Sequence, residues 1–521
     1  MSARLFRARE PAIVGLMSIV GALCGCAVGP NYSPPPPDVP SAWRGTAAPQ
    51  APLSVVSQQD VEETDWWKSF GDPELTSLID RALKANMTVQ EAVLRIEEAR
   101  GQRRVIAAAA WPSLDANASY AETRISEKTA TTSLLSALGG SGASSRGGAP
   151  GGVSSALPGL QNPFSQYQYG LTGSWEIDLF GRVRRQVEAA DANTAAAVED
   201  SRAVQVSLMA EVAAAYIDLR SAQEQHAVSE EAAATARRLV QVATDARRAE
   251  IGDDFDVANA RAALETAEAG PPPLEVEITA DESQLALLLA ERPGALDSEL
   301  ETAATIPPLP PAVPIGLPSA LARRRPDIRE AEAQLHAAVA QQGVAVADLY
   351  PRVSLTAALG LEAVTPTGLG AWAARYFSAG PGLDLPVFDA GARRATVHIA
   401  DVRAKEAAVA YAQTVLAALH EVEDAVMAYE KDQMRRGSLN AAVTQDRTAL
   451  SLARVRYQVG SVGLADVLHA ETELETARAS LASSTAATAQ DLVTLYKSLG
   501  GGWENASSGE GRLSPAAPYH E

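Results

Sequence analysis

The fold is decided by residues 167–179, which read YQYGLTGSWEIDL and lead into a run from Arg182 to Ile251 that contains no proline. Two alternating segments followed by one long proline-free run occur twice in the chain, and this internal repeat predicts the architecture. At about 1.5 Å per residue, each run would form a helix roughly 100 Å long, which is more than an ordinary globular core requires. We therefore expect helices that cross a gap. The predicted bounds are Leu114–Thr123, Tyr167–Leu179 and Arg182–Ile251 in the first copy, and Val353–Glu362, Phe377–Val387 and Arg393–Val459 in the second.

Alternating polarity in the predicted strands indicates two distinct faces. Apolar residues or glycine occupy every odd position from Tyr167 to Leu179, and polar residues occupy most even positions. Because side chains alternate across a strand, the two sets point to opposite faces. Each segment has about the 9 to 11 residues that a tilted strand needs to span a bilayer. One such strand alone would more often belong to a soluble sheet, but four of them joined to long helices favour the strands of a transmembrane barrel.

The N-terminus has the order of segments found in a secretory signal peptide. Three arginines precede an apolar run, residues 12–23, that is too short to span a membrane. The run ends in Leu23-Cys24-Gly25-Cys26, which resembles a bacterial lipobox and implies cleavage before Cys26 and acylation of its sulfur. A simple signal peptide that ends in a chance cysteine is the alternative. Cleavage would remove Cys24, so the mature chain would hold one lipidated cysteine and no disulfide.

Composition and motifs exclude several classes of function. A formal net charge of −20 and a pI of about 4.9 argue against nucleic acid or anionic lipid as a partner. No apolar run after the N-terminal one reaches the length of a membrane helix, so strands would have to cross any membrane. The 6 histidines are scattered without an i, i+4 pair, and neither a nucleophile elbow nor a P-loop is found. We therefore expect no enzyme, no cofactor and no metal site.

Helix and loop signals divide the chain into segments. Asp72 is predicted to cap a helix that starts at Pro73, and a second helix from about Val89 to Ala110 stops before Pro112. Residues 125–163 are rich in small polar residues and predict a loop, which in barrels of this type lies outside the cell. The predicted segments are a lipoprotein signal peptide (1–25), an extended N-terminal segment (26–71), a first repeat (72–300), a proline-rich linker (301–317), a second repeat (318–502) and a flexible C-terminal tail (503–521).

Each long run turns back at a tip that contains glycine, and glycine after the last turn is a common end of a helix. The candidate tip residues are Gly252, Gly460 and Gly463. The first tip also carries Asp253, Asp254 and Asp256, which are candidate gate and selectivity residues because rings of carboxylates attract cations. The alternative is that Asp253 and Asp254 only cap the returning helix.

Other local patterns predict structure rather than chemistry. Small apolar residues that recur every three or four positions in the long runs are typical of coiled-coil seams. The returning helix of the first copy is expected to break at Gly270, which three prolines follow. The densest basic cluster, residues 323–325, precedes Pro326 and Asp327. We expect a helix start that Asp327 stabilises, with the arginines in solvent, rather than a phosphate clamp.

Several short motifs in a fixed order carry a family resemblance. They are Cys26–Tyr32, Trp175–Arg182, Arg324–Ile328, Leu349–Leu355, Leu385–Gly391 and Leu495–Trp503. Together they resemble the lipoprotein outer-membrane factors of bacterial tripartite, RND-type efflux systems, the TolC-like or NodT-type group, over nearly the whole mature chain. The resemblance implies a mainly α chain with transmembrane β, in which four β-strands accompany long coiled-coil helices. Three chains would give a twelve-stranded β-barrel that continues into a twelve-helix α-barrel.

The resemblance also implies a location and partners. The protein would lie in the outer membrane, anchored by lipid, with its helical barrel in the periplasm; Ala27 stands where an aspartate would suggest retention in the inner membrane. Its partners would be two further copies of itself, outer-membrane lipid, an inner-membrane pump and a periplasmic adaptor that contacts the tips. Counting alone requires an oligomer, because four strands cannot close a barrel. It does not choose three, although the eight strands of a dimer would be filled by side chains.

Two departures from the family pattern concern the tips. The first tip lacks two residues that the second has between its glycine and its Asp-Val pair. Relatives often carry an aspartate where this chain has Val462, so Val462 is a further gate candidate.

The sequence thus predicts a passive exit duct that conducts drugs or other small solutes from the pump and adaptor to the outside. The alternative within transport is a duct for polypeptide secretion that an ATP-driven exporter serves. A structural lipoprotein, whose coiled-coil helices act as spacers, is the alternative from another class, and it would conduct no ions. Neighbouring genes would distinguish the two kinds of duct, and bilayer recordings would distinguish a duct from a spacer.

Overall fold

A computed structural model describes residues 27–36, 39–43, 55–57, 65–124, 163–250, 252–302 and 304–504. The predicted signal peptide, Cys26, most of the predicted loop at 125–163 and the residues after 504 lie outside these ranges. The described chain forms two compact units. The first contains the described residues within 1–32, 101–191 and 337–404, and the second contains those within 33–100, 192–336 and 405–521.

Most of the described residues are helical. The helices are α1 (Pro73–Ala85), α2 (Met87–Ala108), α3 (Arg182–Arg248), α4 (Asp254–Glu268), α5 (Pro271–Leu288), α6 (Asp297–Leu300), α7 (Pro318–Arg324), α8 (Pro326–Ala347), α9 (Ala392–Gln458) and α10 (Leu464–Leu499). The strands are β1 (Val55–Ser57), β2 (Ser113–Thr123), β3 (Phe164–Ile177), β4 (Ala312–Pro314), β5 (Arg352–Ala363) and β6 (Arg375–Asp384). Short 3₁₀ helices are found at Trp66–Phe70, Pro366–Gly370 and Trp372–Ala374. No helix in the described ranges is long and apolar enough to cross a membrane.

The helices form where the sequence predicts them. The two long helices, α3 and α9, have 67 residues each. Asp72 caps α1 as expected, because its side chain accepts hydrogen bonds from the backbone N–H groups of Glu74 (2.8 Å) and Leu75 (3.1 Å). The predicted break of the returning helix is also confirmed, since α4 ends at Glu268 and α5 starts at Pro271. Proline is accepted there because the first turn of a helix needs no backbone donor.

The first unit contains a four-stranded antiparallel sheet in the order β2-β3-β5-β6. Its register keeps the alternation of all four strands in phase: Leu171 pairs with Leu359, which pairs with Phe377. Apolar residues therefore share one face, as the sequence predicts. On the opposite face, polar side chains bond across the strands, such as Asn117 with Thr172 (3.2 Å).

Two predicted strand bounds were wrong by a few residues. β3 starts at Phe164 rather than Tyr167, because the pairing with β2 extends to Thr123. β6 ends at Asp384 rather than Val387. Pro386 follows two residues later, and proline cannot donate to a strand ladder.

The core of the second unit forms around aromatic residues of the first 3₁₀ helix. Trp66 stacks on Tyr496 of α10 with ring centroids 5.2 Å apart, and Trp67 and Phe70 are also buried. The hydroxyl of Tyr216 on α3 donates to the Asp72 carboxylate at 2.8 Å. Burial raises the pKa of Tyr216 to about 12, so this hydroxyl remains a donor at physiological pH.

Coiled-coil seams occur between the helices of the hairpins, as predicted. Val443 and Leu450 of α9 pack with Val467 and Leu474 of α10 in one buried cluster. On both helices the buried residues recur at the heptad spacing that such seams require.

The prediction for the basic cluster at residues 323–325 was wrong in part. α8 starts at Pro326, Asp327 accepts from the Ile328 backbone N–H at 3.0 Å, and Arg323 is exposed as expected. Arg325 is buried rather than solvated, and its guanidinium bonds Asp327, Glu421 and the backbone carbonyl of Ser498. A second acceptor on α9 and a helix end on α10 take the place of solvent, and neither could be recognised from the local sequence. A two-stranded parallel sheet of β1 and β4, within the segments predicted as extended and linker, was not predicted either.

Two carboxylates face each other between α9 and α10. Asp491 hydrogen-bonds Asp432, and the Asp491 Oδ2 atom is buried without any other partner in the described chain. Burial, together with the hydrogen bond and charge of Asp432, raises the pKa of Asp491 from 3.8 to about 7. Two carboxyl groups can hydrogen-bond to each other only if one of them carries a proton.

This pair predicts a pH dependence of stability. The folded chain keeps a proton that the unfolded chain releases near pH 4, so the contribution is fully present below about pH 4 and is lost as the pH rises through about 7. Asp491→Asn can donate to Asp432 at every pH, and we expect it to raise the Tm at pH 8 by roughly 2–4 °C relative to wild type. Circular dichroism melts between pH 5 and 8.5 would measure this. Asp424→Asn, at an exposed position on α9, is the control, and an equal effect of both substitutions at pH 8 would contradict the shared proton.

Candidate functional site

The apolar face of the four-stranded sheet is the first part of the candidate site. Large apolar side chains on this face are exposed within the chain, and Phe377 is 88% exposed. Leu114, Leu359 and Leu383 on the same face are also exposed. Water-exposed apolar area of this extent marks an interaction surface, and strands of 10 to 14 residues match the thickness of a bilayer.

Aromatic residues lie at both ends of this face. At one end, Tyr120 and Tyr167 pack together at 4.9 Å, and the Arg375 guanidinium lies 3.2 Å from the centroid of the Trp372 ring. At the other end, the Trp175 indole N–H donates to the carbonyl of Ala110 (3.0 Å). Aromatic side chains with one polar end are typical of the two membrane–water interfaces of a transmembrane barrel.

The polar face carries an aromatic side chain that the sequence did not reveal. Tyr376 lies over Gly170 and Gly360, which pair with each other on β3 and β5, and its hydroxyl accepts from the Gln168 side chain (2.8 Å). The strand alternation assigns Tyr376 to the polar face, but nothing local indicates that it covers two glycines. These residues would line the wet side of the sheet.

The junction between β3 and α3 is held by charge pairs. Arg182 binds the Glu176 carboxylate through two nitrogens (2.8 and 2.5 Å), and the Arg184 backbone N–H donates to Asp178 (2.9 Å). Asp178 thus satisfies a free donor of the first helical turn. At the second junction Asp389 does the same for Arg393 (3.2 Å). The repeated motif therefore has a local role, which is to start a long helix directly after a strand.

The segment that follows Cys26 is docked at the first junction. Val28 donates its backbone N–H to the Phe180 carbonyl (3.1 Å), and Asn31 accepts from the buried Arg185 (2.6 Å). Gly29 has φ 91° and lies against Gly343 of α8, where a Cβ would come within 2.7 Å of the Gly343 Cα atom. The motif at residues 27–32 is thus explained by these contacts, because few other side chains at the same positions would permit them. Ala27, the neighbour of Cys26, lies at this junction against Gly181.

In the first tip, two carboxylates are engaged within their own hairpin. Asp253 caps α4 by accepting from the Asp256 backbone N–H (2.8 Å), as the capping alternative predicts. Asp254 is not a cap acceptor; it forms an ion pair with Arg247 at 2.8 Å, which lowers the pKa of Asp254.

The first long helix ends before Gly252, in a tip that contains this glycine, but Gly252 is not the left-handed residue. Glu250 has that conformation, with φ 60°. Gly252 instead donates its backbone N–H to the Ala246 carbonyl (3.1 Å), so it closes the helix end without a positive φ.

The second tip follows the prediction at Gly460, which has φ 75° after the end of α9. Gly463 has a different role, because it precedes α10 and donates its backbone N–H to the Asp466 carboxylate (3.0 Å). Val462 lies between them and is partly buried. The two tips lie together, because Leu464 packs with Ala243 of α3 and Ala260 of α4 in one buried cluster.

A sheet with an exposed apolar face and aromatic ends, in a chain that also has paired long helices, is typical of one class of protein, the outer-membrane channels. The family comparison specifies it further: residues 78–291 and 317–501 match the outer membrane efflux protein family. The chain belongs to this family, and the resemblance found in the sequence is confirmed. The protein is an outer-membrane efflux protein, and outer-membrane location follows from its relatives.

Similar proteins cover almost the whole chain. The outer membrane protein OprJ of Pseudomonas aeruginosa is 30% identical over 96% of this chain and 98% of its own length. The toluene efflux pump outer membrane protein TtgF of Pseudomonas putida is 30% identical over 94% of this chain and 96% of its own length. Among solved structures, the outer-membrane channel OprN is 34% identical, with a TM-score of 0.79 over 92% of this chain and 100% of that one. The open state of the MtrE channel of Neisseria gonorrhoeae is 28% identical, with a TM-score of 0.72 over 92% of this chain and 98% of that one.

Proposed function

We propose that three copies of this chain form a passive, lipid-anchored exit duct for drugs or other small solutes. The observation that carries the proposal is the sheet of four in-phase antiparallel strands, whose edge strands β2 and β6 have no second partner within the described chain. Open edges are not tolerated in lipid, so the edges must pair with other copies. β2 and β6 run in opposite directions, so β6 of one copy can continue the antiparallel order with β2 of the next. Three copies give twelve strands.

The proposed partners are a periplasmic adaptor and an inner-membrane pump. Relatives such as TtgF are named as outer-membrane proteins of efflux pumps, which supports this part of the proposal. The adaptor would contact the tips around Gly252, Gly460 and Gly463. Movement of solute would draw on the pump, and the duct itself would carry out no catalysis and require no cofactor.

Recordings in planar bilayers test the proposal. Purified protein, cross-linked to determine the number of copies, should give discrete ion conductance from an assembly of three chains. A spacer made of coiled coils would give none. A cross-linked dimer as the largest species would contradict the trimer.

The lipid anchor is proposed at Cys26. The position of Ala27 supports it, because Ala27 lies beside Gly181 at the junction where the strand ends and α3 starts. An acyl chain on the preceding residue would then start near the membrane surface. We expect Cys26→Ser to abolish labelling by radioactive palmitate while the protein stays in the outer-membrane fraction, since the strands still hold it there. Recovery of the variant as a soluble monomer would contradict the transmembrane sheet.

The gate is proposed at the tips, where Asp253, Asp254, Asp256 and Val462 are the candidates. In a trimer the three aspartates would be repeated around one axis, and such rings favour cations. We expect Asp253→Asn with Asp254→Asn to reduce cation selectivity in bilayer recordings and to leave the Tm nearly unchanged. Asparagine caps about as well as aspartate, and an exposed ion pair such as Arg247–Asp254 contributes little to stability.

The reversal potential in a salt gradient is the measurement for the gate. Glu406→Gln with Asp424→Asn, at two exposed positions on α9, removes the same number of charges away from the tip and serves as the control. An unchanged reversal potential in the double variant would reject these carboxylates as the filter. The segment from Ser461 to Leu464 would then be the next candidate.

A further inference from the structure

The last described residues of the chain turn back onto the second unit. α10 ends at Leu499, and Gly500, with φ 70°, redirects the backbone. Gly502, with φ 110°, lies so close to Met209 of α3 that a Cβ would come within 2.8 Å of its methyl group. Residues 500–503 are called the C-terminal latch below. Because positions 500 and 502 are glycines, the backbone of the latch approaches its neighbours more closely than larger residues would allow.

Trp503, the last residue of the latch, is contacted by two cations. The Arg202 guanidinium of α3 lies 4.3 Å from the ring centroid, and that of Arg329 on α8 lies 5.1 Å from it. The indole N–H donates to the backbone carbonyl of Arg324, at the end of α7 (3.1 Å). Cations over an indole ring are attracted by the negative charge of its faces. The single side chain therefore binds three helices.

One buried carboxylate orients both of these cations. Glu199 of α3 accepts from Arg202 at 2.7 Å and from Arg329 at 2.8 Å, and its side chain is 8% exposed. A buried carboxylate between two guanidinium groups fixes their positions and offsets their charge. Glu199 does not touch Trp503 in the contacts described, so it is a positioning residue that acts through the arginines.

The latch also reaches the aromatic core. A Cβ on Gly502 would lie 3.2 Å from the indole nitrogen of Trp66, which stacks on Tyr496. The contacts thus include the 3₁₀ helix that precedes the first repeat, α3 from the first repeat, and α7 and α8 from the second. These elements are far apart in sequence, and the latch is the last of them to be synthesised.

We propose that residues 500–503 are a closing latch, which joins the long helix of the first repeat to the second repeat and completes the second unit only when the C-terminus of the chain is present. The inference does not depend on the proposed duct, since it concerns the folding of the second unit. Its consequence is that chains shortened before Trp503 form a less stable second unit, whereas the residues after Glu504 are not needed for its stability.

A pair of truncations tests the latch. Both are made in the full chain by stop codons, one leaving Gly501 as the last residue and the other leaving Glu504. We expect the chain that ends at Glu504 to melt like wild type in detergent. The chain that ends at Gly501 should lose the folded state about tenfold faster at a temperature near the Tm. Equal rates for the two truncations would overturn the proposal.

Point variants test whether the latch acts as a unit even if the shorter chain fails to fold. Trp503→Ala should accelerate unfolding about tenfold. Trp503→Phe should have a smaller effect, because it keeps an aromatic ring beside the arginines and loses only the N–H donor. Glu199→Gln should act in the same direction. If Glu199 works through the arginines on Trp503, the effects of Glu199→Gln and Trp503→Ala are not additive in the double variant. Additive effects, or a Trp503→Ala variant as stable as wild type, would overturn the proposal of a latch.

Discussion

Replacing Gly170 by alanine is expected to prevent stable pairing of β3 with β5. A Cβ at this position would lie 2.5 Å from the Leu359 carbonyl oxygen and 3.0 Å from both the Gly360 Cα atom and the Tyr376 hydroxyl. Two of these atoms belong to the backbone of β5, so they cannot move without breaking the ladder in which Leu171 pairs with Leu359. We expect a loss of about 3 kcal/mol or more in the free energy of unfolding, at the upper end of overpacking effects.

A second glycine on the same strand provides the control. At Gly173 the nearest atom to a new Cβ would be the Ser113 carbonyl oxygen at 3.6 Å, which is an ordinary contact. Gly173 lies on the apolar face, and the Leu114 side chain is also at an ordinary distance of 3.9 Å from the new Cβ. Gly173→Ala should therefore change stability by less than about 0.5 kcal/mol.

Electrophoretic mobility of unheated samples and the Tm of purified protein would measure both variants. Gly170→Ala should yield little folded protein in the outer membrane, and Gly173→Ala should match wild type. If both variants fold equally well, the close approach of Tyr376, Gly360 and Gly170 is not required for the sheet.

The sheet and the long helices could be predicted because their signals are periodic. Side chains alternate with a period of two over Tyr167–Ile177 and Arg352–Leu361, and the proline-free runs give α3 and α9 almost to the residue. Capping by Asp72 and Asp253 could be predicted because a cap depends only on the next three residues. Such features are local, so a single sequence contains them.

Contacts between distant segments could not be predicted in this way. Arg325 was expected in solvent, but Glu421 and the end of α10 surround it. Trp503 was assigned to the flexible tail because serine, glycine and charged residues follow it, whereas its partners Arg202 and Arg329 lie far away in sequence. The sequence does contain one indirect signal for such sites, which is a run of glycines next to an aromatic residue at a helix end.

At the tips, too, local features could be predicted and side-chain contacts could not. Glycine indicated both places where a long helix stops, but the left-handed residue is Gly460 in the second tip and Glu250 in the first. Asp254 pairs with Arg247, one helical turn before the tip begins. The acidic character of the tip was visible in the sequence, but the extent to which its carboxylates are already bound was not.

Arg220 is expected to be among the most sensitive positions of the second unit. It is 1% exposed, and its Nη1 atom donates to the Gln223 side chain at 2.7 Å and to the Thr302 carbonyl at 2.9 Å. A weaker contact reaches the Leu300 carbonyl at 3.4 Å, and the guanidinium lies 4.9 Å from the Tyr216 ring centroid. Arg220 therefore attaches the segment after α6 to α3. Arg220 was not predicted as a structural residue, because its partners after α6 lie about 80 residues further along the chain.

Arg220→Met keeps most of the apolar volume and removes the donors. The buried side chain of Gln223 would then lose its donor and the bond to Thr302 would be broken, and we expect a loss of about 3–5 kcal/mol in the free energy of unfolding. Arg220→Lys should recover only part of this, because one ammonium group does not reproduce the planar set of donors. The matched control is Arg237→Met on the same helix, which breaks a half-exposed pair with Glu268 (2.8 Å) and should cost less than about 1 kcal/mol. Urea unfolding followed by circular dichroism would compare them, and similar midpoints for Arg220→Met and Arg237→Met would show that the buried guanidinium does not hold the segment after α6.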